Sequence, residues 1–326
     1  MLLETFNHWL FFNLALVVLL IFDLLILTKN DREVSMKNAA WLTAFWWGVA
    51  TLCGVWIFTQ GSSEQGVNYA TAFVVEKALS VDNLFVFLVI FTYFRLPGDV
   101  RLRALFFGII GALLARAIFI AVGITLITAF SWVLFILGAF LIYTGYKIAF
   151  VGDSEVDPGQ NPVVKIFRKF MPVTDEYDGH KFFKRLPNGT KAATPFLLVI
   201  IALGTTDIVF AIDSIPTVFG ITQDPFIVWT SNAMAVLGLR PLFFLLSGLV
   251  KIFRFLQYGL AVVLVLIGIK MVLEEAAHAF DFHLPEIMEA PFLSLVVITI
   301  IFSVAIVLSK MFPAPEESPE EHGPVA

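Results

Sequence analysis

Windows of apolar sequence long enough to cross a hydrocarbon core recur nine times along this chain, near residues 9–28, 40–59, 69–93, 102–125, 130–150, 194–216, 226–250, 255–275 and 291–311. A crossing helix needs about 20 such residues, and a barrel strand only about 9–11. Inside lipid no other backbone arrangement satisfies its own N–H and C=O groups. The windows therefore predict an all-α, polytopic membrane protein of about nine transmembrane helices. Composition agrees, since 14% of the 326 residues are charged and 59% hydrophobic, against about 25% charged in soluble domains. No Lys or Arg precedes the first window and no small-residue cleavage site follows it, so it reads as a retained span and not as a signal peptide.

The links between windows alternate in charge. Lys29, Arg32 and Lys37, then Arg95, Arg101 and Arg103, then seven Lys and Arg between residues 152 and 193, then Lys251 and Arg254, occupy every second link. The intervening links, 61–66, 128–129, 217–225 and 275–289, contain neither Lys nor Arg. Positive loops stay in the cytoplasm, which places the N-terminus outside and the C-terminus inside and makes the protein multi-pass in the cell (plasma or inner) membrane. Cys53 is the single cysteine, so neither a disulfide framework nor a thiolate metal site is available.

Two windows break the apolar rule in the same way. The third contains EKALSVDN (76–83) and the sixth DIVFAIDS (207–214), so Glu76, Asp82 and Asn83 align with Asp207, Asp213 and Ser214 at one constant offset. Downstream, LLARAIF around Arg116 aligns with LGLRPLF around Arg240, and TGYK ending at Lys147 with IGIK ending at Lys270, at nearly the same spacing. Spans three to five and six to eight then read as two copies of a three-helix unit. Because the unit has an odd number of helices, the second copy is inserted upside down, the architecture of secondary transporters that bind substrate at the midplane. The chain divides accordingly into a two-helix N-terminal segment (1–66), a first repeat (67–150), a cytoplasmic loop (151–193), a second repeat (194–276), an outer loop with the last helix (277–311) and a disordered acidic tail (312–326).

Each carboxylate held in mid-span costs roughly 2.5–3.5 kcal/mol on insertion scales, and this chain keeps Glu76, Asp82, Asp207 and Asp213 there. With Asn83, Ser214, Ser80, Thr205 and Thr206 they form an oxygen-only ligand set, suited to hard divalent cations such as Mn²⁺, Mg²⁺ or Ca²⁺. The competing structural reading pairs the acids with Lys77, Arg116 and Arg240 in buried ion pairs that only fix register. Acids left to titrate could carry protons in exchange for the metal. Helix geometry constrains the site: residues six apart are rotated by about 120°, whereas residues seven apart align to about 20°. Glu76 shares a face with Asn83, and Asp207 with Ser214, while Asp82 and Asp213 point aside. A metal held by all four acids requires a broken helix, and Pro216, which cannot bond the carbonyl of Ile212, marks the expected break.

The segments EKALSVDN, TTDIVFAIDSIP, DPFIVWTSNAMAVLGLRPLFFLLSG and YGLAVVLVLIGIKMVL closely resemble the TerC/Alx family of integral membrane proteins, over roughly Leu14 to Val307. That family resembles the LysE-type exporters with inverted three-helix repeats. The resemblance implies manganese efflux driven by a proton or ion gradient, metal supply to exported proteins, and a link to tellurite resistance. It implies contacts with exported metalloproteins or the translocation machinery, and puts Glu76, Asp82, Asn83, Asp207, Asp213 and Ser214 at the ion site. Many relatives carry a Glu where this chain has Gly204. Asp23 reads as an inner gate, an interfacial acid or, with Lys77, Arg116 and Arg240, a charge-pairing group, and Glu274, Glu275, His278, Asp281, His283, Glu286 and Glu289 form an acidic outer loop. The cytoplasmic loop is expected to form one short helix at Pro162–Phe170 and otherwise to be mobile.

The resulting expectation is a secondary transporter of a divalent metal cation, Mn²⁺ above others, acting in the lipid bilayer with no prosthetic group and no nucleic-acid partner. The alternative is a membrane scaffold or assembly factor without transport. An intramembrane hydrolase is disfavoured, because the chain has no GxGD, no HExxH and no serine elbow. It also has no ATP-binding motif, so transport would draw on ion gradients.

Overall fold

A computed structural model describes residues 6–28, 35–150, 158–174, 176–186, 189–247, 255–281, 283–285 and 290–312, with the side chains of residues 26–28, 82 and 99 left out. The disordered tail expected beyond residue 312, Lys251 and Arg254, and Glu286 and Glu289 lie outside the described residues. Eleven α-helices are present among the described residues. They are α1 (Phe6–Thr28), α2 (Met36–Gln60), α3 (Ser63–Tyr93), α4 (Gly98–Ala129), α5 (Val133–Phe150), α6 (Pro162–Phe170), α7 (Pro195–Phe219), α8 (Pro225–Val236), α9 (Leu239–Ser247), α10 (Leu256–Phe280) and α11 (Pro291–Met311).

The helix starts follow from local chemistry. Ser62 and Gln65 form a reciprocal capping box at α3, and the Asp224 carboxylate accepts from Phe226 and Ile227 to cap α8. Proline opens α6, α7, α8 and α11, the position where its missing N–H is harmless.

Eight of the nine expected windows coincide with helix over their middles, and the window at 226–250 holds two helices with a break at its centre. Seven helices (α1, α2, α4, α5, α7, α10 and α11) are long and apolar enough to cross a membrane. The pair α8 and α9, bent by 46° at a short break, adds an eighth candidate, as a broken span or a re-entrant loop. α3 has the length at 31 residues but carries Glu76, Lys77 and Asp82 in its middle.

Four helices make the centre. α3 packs on α7 and α8, and α4 packs on α7 and α8. α1, α2 and α9 cover one flank, and α5, α10 and α11 the other, each with its own apolar core. Contacts give the relative directions. α4 runs parallel to α7, since Gly108 faces Leu203 and Gly123 faces Phe219. α3 runs parallel to α8, since Gln65 bonds Asp224 at 2.7 Å and Lys77 bonds Ala235 at 2.7 Å. α5 and α10 run antiparallel: Gly138 abuts Gly268, and Gly145 abuts Ala261. A Cβ on Gly268 would lie 2.6 Å from the Gly138 carbonyl oxygen, and one on Gly145 2.7 Å from that of Ala261, so only glycine permits this close crossing.

Two expectations are corrected here. α7 is assigned as helix straight through Pro216, with Thr217 donating to the Asp213 carbonyl at 2.8 Å and Gly220 N–H to the Pro216 carbonyl at 3.0 Å. The discontinuity lies between α8 and α9, at Leu237 and Gly238, where Gly238 adopts φ +80°. The loop expected to be cytoplasmic, residues 151–193, also holds more than the expected α6. A 3-10 turn (Pro158–Gln160) and an antiparallel hairpin of β1 (Phe183–Arg185) with β2 (Lys191–Ala193) accompany it. Tyr177 donates to the Phe94 carbonyl at 2.7 Å, fastening the loop to the end of α3.

Candidate functional site

Where the four central helices meet, the apolar interior gives way to polar groups. Arg116 and Arg240 are the largest fully buried side chains among the described residues. A buried guanidinium survives only where acceptors surround it, and the two find them differently. Arg116 on α4 pairs with the Glu76 carboxylate of α3 and donates to the Asn232 carbonyl of α8 at 2.6 Å. Asn232 is itself held by donating to the Val228 carbonyl at 3.0 Å. Asp207 on α7 is buried and within electrostatic reach of both Arg116 and Glu76. One cation and two carboxylates, contributed by α3, α4 and α7, thus share one enclosure with an amide from α8.

Arg240 pairs elsewhere. Its guanidinium meets the Asp23 carboxylate of α1 at 2.8 Å and the Asp23 backbone carbonyl at 3.2 Å, and stacks near the Phe106 ring at 5.6 Å. Asp23 is 4% exposed and is the buried counter-ion of Arg240. Lys77 pairs with no acid within ion-pair distance. Its ammonium donates to the carbonyls of Ala235 and Leu237 at 2.7 and 3.0 Å, the last turn of α8, whose orphan carbonyls attract a cation. Of the pairing of the motif acids with Lys77, Arg116 and Arg240, the described residues hold Arg116 with Glu76, while Arg240 pairs with Asp23 of α1 and Lys77 clamps a helix end.

The remaining motif residues line faces and do not close a shell. Glu76, Ser80 and Asn83 follow one another along a buried face of α3, and Asp207 and Ser214 along a face of α7. Glu76 Oε2, Ser80 Oγ and Ser214 Oγ are buried without a hydrogen-bond partner; each such group costs about 1–3 kcal/mol. Asp213 is half-buried, and the side chain of Asp82 lies outside the described residues. Among the described residues no three of His, Cys, Asp and Glu converge closely enough to hold a metal ion. Thr205 receives the Asn161 amide at 2.8 Å, which brings the cytoplasmic loop to within two residues of Asp207. At Gly204 a Cβ would meet nothing within 4 Å, so the position that resembles a Glu site has room for a side chain.

Asn232 and the α8–α9 break escape a reading based on charge. Asn232 sits in the apolar run SNAMAV, where one amide carries no periodic signal, and its partner Arg116 is 116 residues away. The break was legible only as the LG step before Arg240.

Residues 61–317 match the integral membrane protein TerC family. Alx of Salmonella typhi, provisionally named a membrane-bound redox modulator, is 42% identical over 283 residues, 83% of this chain and 86% of that protein. Alx of Escherichia coli K12, named in the same terms, is 41% identical over 283 residues, 83% and 87% of the two chains. An uncharacterized membrane protein of Myxococcus xanthus, STKORF319, is 40% identical over 263 residues, 81% and 82%. No solved structure matches the chain. The apolar helices, the buried charged motifs and these alignments lead to one assignment: this chain belongs to the TerC family of integral membrane proteins.

Proposed function

We propose that the protein is a secondary transporter of a hard divalent cation, with Mn²⁺ efflux as its activity and a proton or ion gradient as its driving force. The observation that carries this reading is the group of Glu76, Arg116, Asp207 and Asn232, in which buried carboxylates from two different helices lie within electrostatic reach of a single buried guanidinium. A merely structural ion pair needs one acid and one base. Here a second carboxylate and three unpartnered buried oxygens are retained, at a cost a scaffold has no reason to keep. Oxygen-only surroundings favour Mn²⁺, Mg²⁺ or Ca²⁺ over soft metals.

The packing supports two inverted repeats. Exchanging α3 with α7 and α4 with α8 turns the α3–α8 contact into the α7–α4 contact, and both pairs run parallel. The register that lays TGYK on IGIK lays Gly145 on Gly268 and Gly138 on Ala261, so the two close contacts between α5 and α10 map onto each other. The parallel and antiparallel pairs also match the relative directions of successive crossings; the placing of the N-terminus outside, in the cell membrane, rests on the alternation of basic links.

A scaffold reading has one observation in its favour, the pairing of Arg116 with Glu76 and of Arg240 with Asp23. A redox role, as the relatives' name has it, would not run through an internal disulfide, because Cys53 stands alone. Ion-specific flux into proteoliposomes under an imposed pH gradient separates the readings. We expect Mn²⁺ movement that exceeds Ca²⁺ and Mg²⁺ and falls at least tenfold in Asp82→Asn, Asp207→Asn and Asp213→Asn. Flux in these variants equal to wild type would leave the scaffold.

A further inference from the structure

A second cavity, of about 450 Å³, opens at the end of the bundle that carries Ser62 and Asp224, between the start of α5, the end of α7 and the last turns of α10. Leu134, Phe219 and Met271 form its apolar wall, and Gln223, Glu274, Glu275, His278, Asp281 and His283 its polar one, of which Glu275 alone is buried. Glu274 has a counter-charge in Lys270 at 3.6 Å. Glu275 has none. It is 8% exposed, and among the described residues it makes no hydrogen bond or ion pair. Its carboxylate, on a buried residue with no protein counter-ion among the described residues, lines a cavity that opens to solvent and is available to a ligand there.

The sequence supplies the complement. Glu275 and His278 are three apart on α10, so both project from one face of the helix, and a Glu-x-x-His pair on a helix is a recurrent pair of metal ligands in bundles. Its donors are one carboxylate and one imidazole, unlike the oxygen-only set at mid-bundle. That pairing suits first-row divalent cations. Since no three protein ligands converge among the described residues, the ion would keep most of its water shell. Four waters at roughly 30 Å³ each fit readily within the cavity.

We propose that Glu275 and His278 form a second divalent-cation site, at which a partly hydrated Mn²⁺ is held at the mouth opposite the cytoplasmic loop. The site deepens the transport reading by giving the ion a station outside the central enclosure, and it rests on that reading only for its role in flux. Binding is independent of it. Phe219 and Met271 are buried where they line the cavity and His278 is exposed, so exchange is toward solvent on the His278 side.

Pulsed electron paramagnetic resonance on Mn²⁺ added to the full-length protein in lipid nanodiscs tests the site directly, because no imidazole accompanies the central acids. Wild type should show nitrogen modulation from a coordinated imidazole, His278→Ala should lose it, and Glu275→Gln should weaken that class of Mn²⁺ about tenfold or more, as even the loss of a residue behind a ligand does. Glu275→Asp, which keeps the carboxylate, should retain the modulation and shows that the fold is intact. Absence of nitrogen modulation in wild type, or its persistence in His278→Ala, overturns the proposal. Proteoliposome flux is scored separately: nitrogen modulation without flux would sink the transporter and leave the site, and flux without modulation the reverse.

Discussion

At the residue scale, the decisive group is Arg116. Removing it strands Glu76 as a buried carboxylate, and breaking a buried pair from one side typically costs about 3–5 kcal/mol. Arg116→Ala should therefore lower the unfolding midpoint markedly in detergent, and Arg116→Lys should recover little, because an ammonium lacks the fork that reaches both Glu76 and Asn232. The double replacement Arg116→Met with Glu76→Met should be more stable than either single variant. If both singles melt as wild type does, the enclosure is not a structural unit. The acids and bases of this region were legible in the sequence because every charge inside an apolar window must be explained. Their pairing was not. Arg240 and Asp23 are 217 residues apart, and nothing in the spacing of either distinguishes Asp23 from Asp207 as its partner. Lys77 likewise announces its charge but not that its acceptors are the carbonyls of Ala235 and Leu237.

At the element scale, the departures from expectation have one physical source. Proline is visible in a sequence and attracts the expectation of a break, yet Pro216 sits three residues before the end of α7 at Phe219, in the final turn where few ladder bonds remain to be lost. The true break is at Gly238, in the left-handed region that only glycine adopts freely. A Cβ there would lie 2.6 Å from the Trp46 side chain. Gly238→Ala should combine roughly 1–2 kcal/mol of left-handed strain with overpacking of about 1–3 kcal/mol, and thermal melting of the purified variant should show it. An unchanged melting temperature would mean that the α8–α9 corner relaxes freely. The clamp of Lys77 on the end of α8 belongs to the same corner, so the strain of the turn and a charged motif residue are physically joined. Apolar windows, proline starts and the Ser62 cap were readable because they depend on neighbours in sequence. The corner depends on Trp46 from α2, which no local pattern names.

At the scale of the whole molecule, the lone cysteine provides a direct test of orientation. In a Cys53→Ser background, a cysteine at Ser63 or Gln223 should react with a membrane-impermeant maleimide on intact cells, whereas one at His180 should react only after the membrane is opened. The reverse pattern would invert the topology without disturbing the fold, since all relative helix directions would stand. The glycine seam between α5 and α10 has a further consequence. Gly138 against Gly268 and Gly145 against Ala261 are one contact written twice in opposite senses. Had the two triplets once been separate chains, this surface would have joined one copy to another lying head to tail in the membrane. A three-helix ancestor able to insert in both directions could have assembled there as a pair. Fusion would then have frozen one arrangement and freed Asn232, which the same register lays on Gly108, to diverge in one copy only.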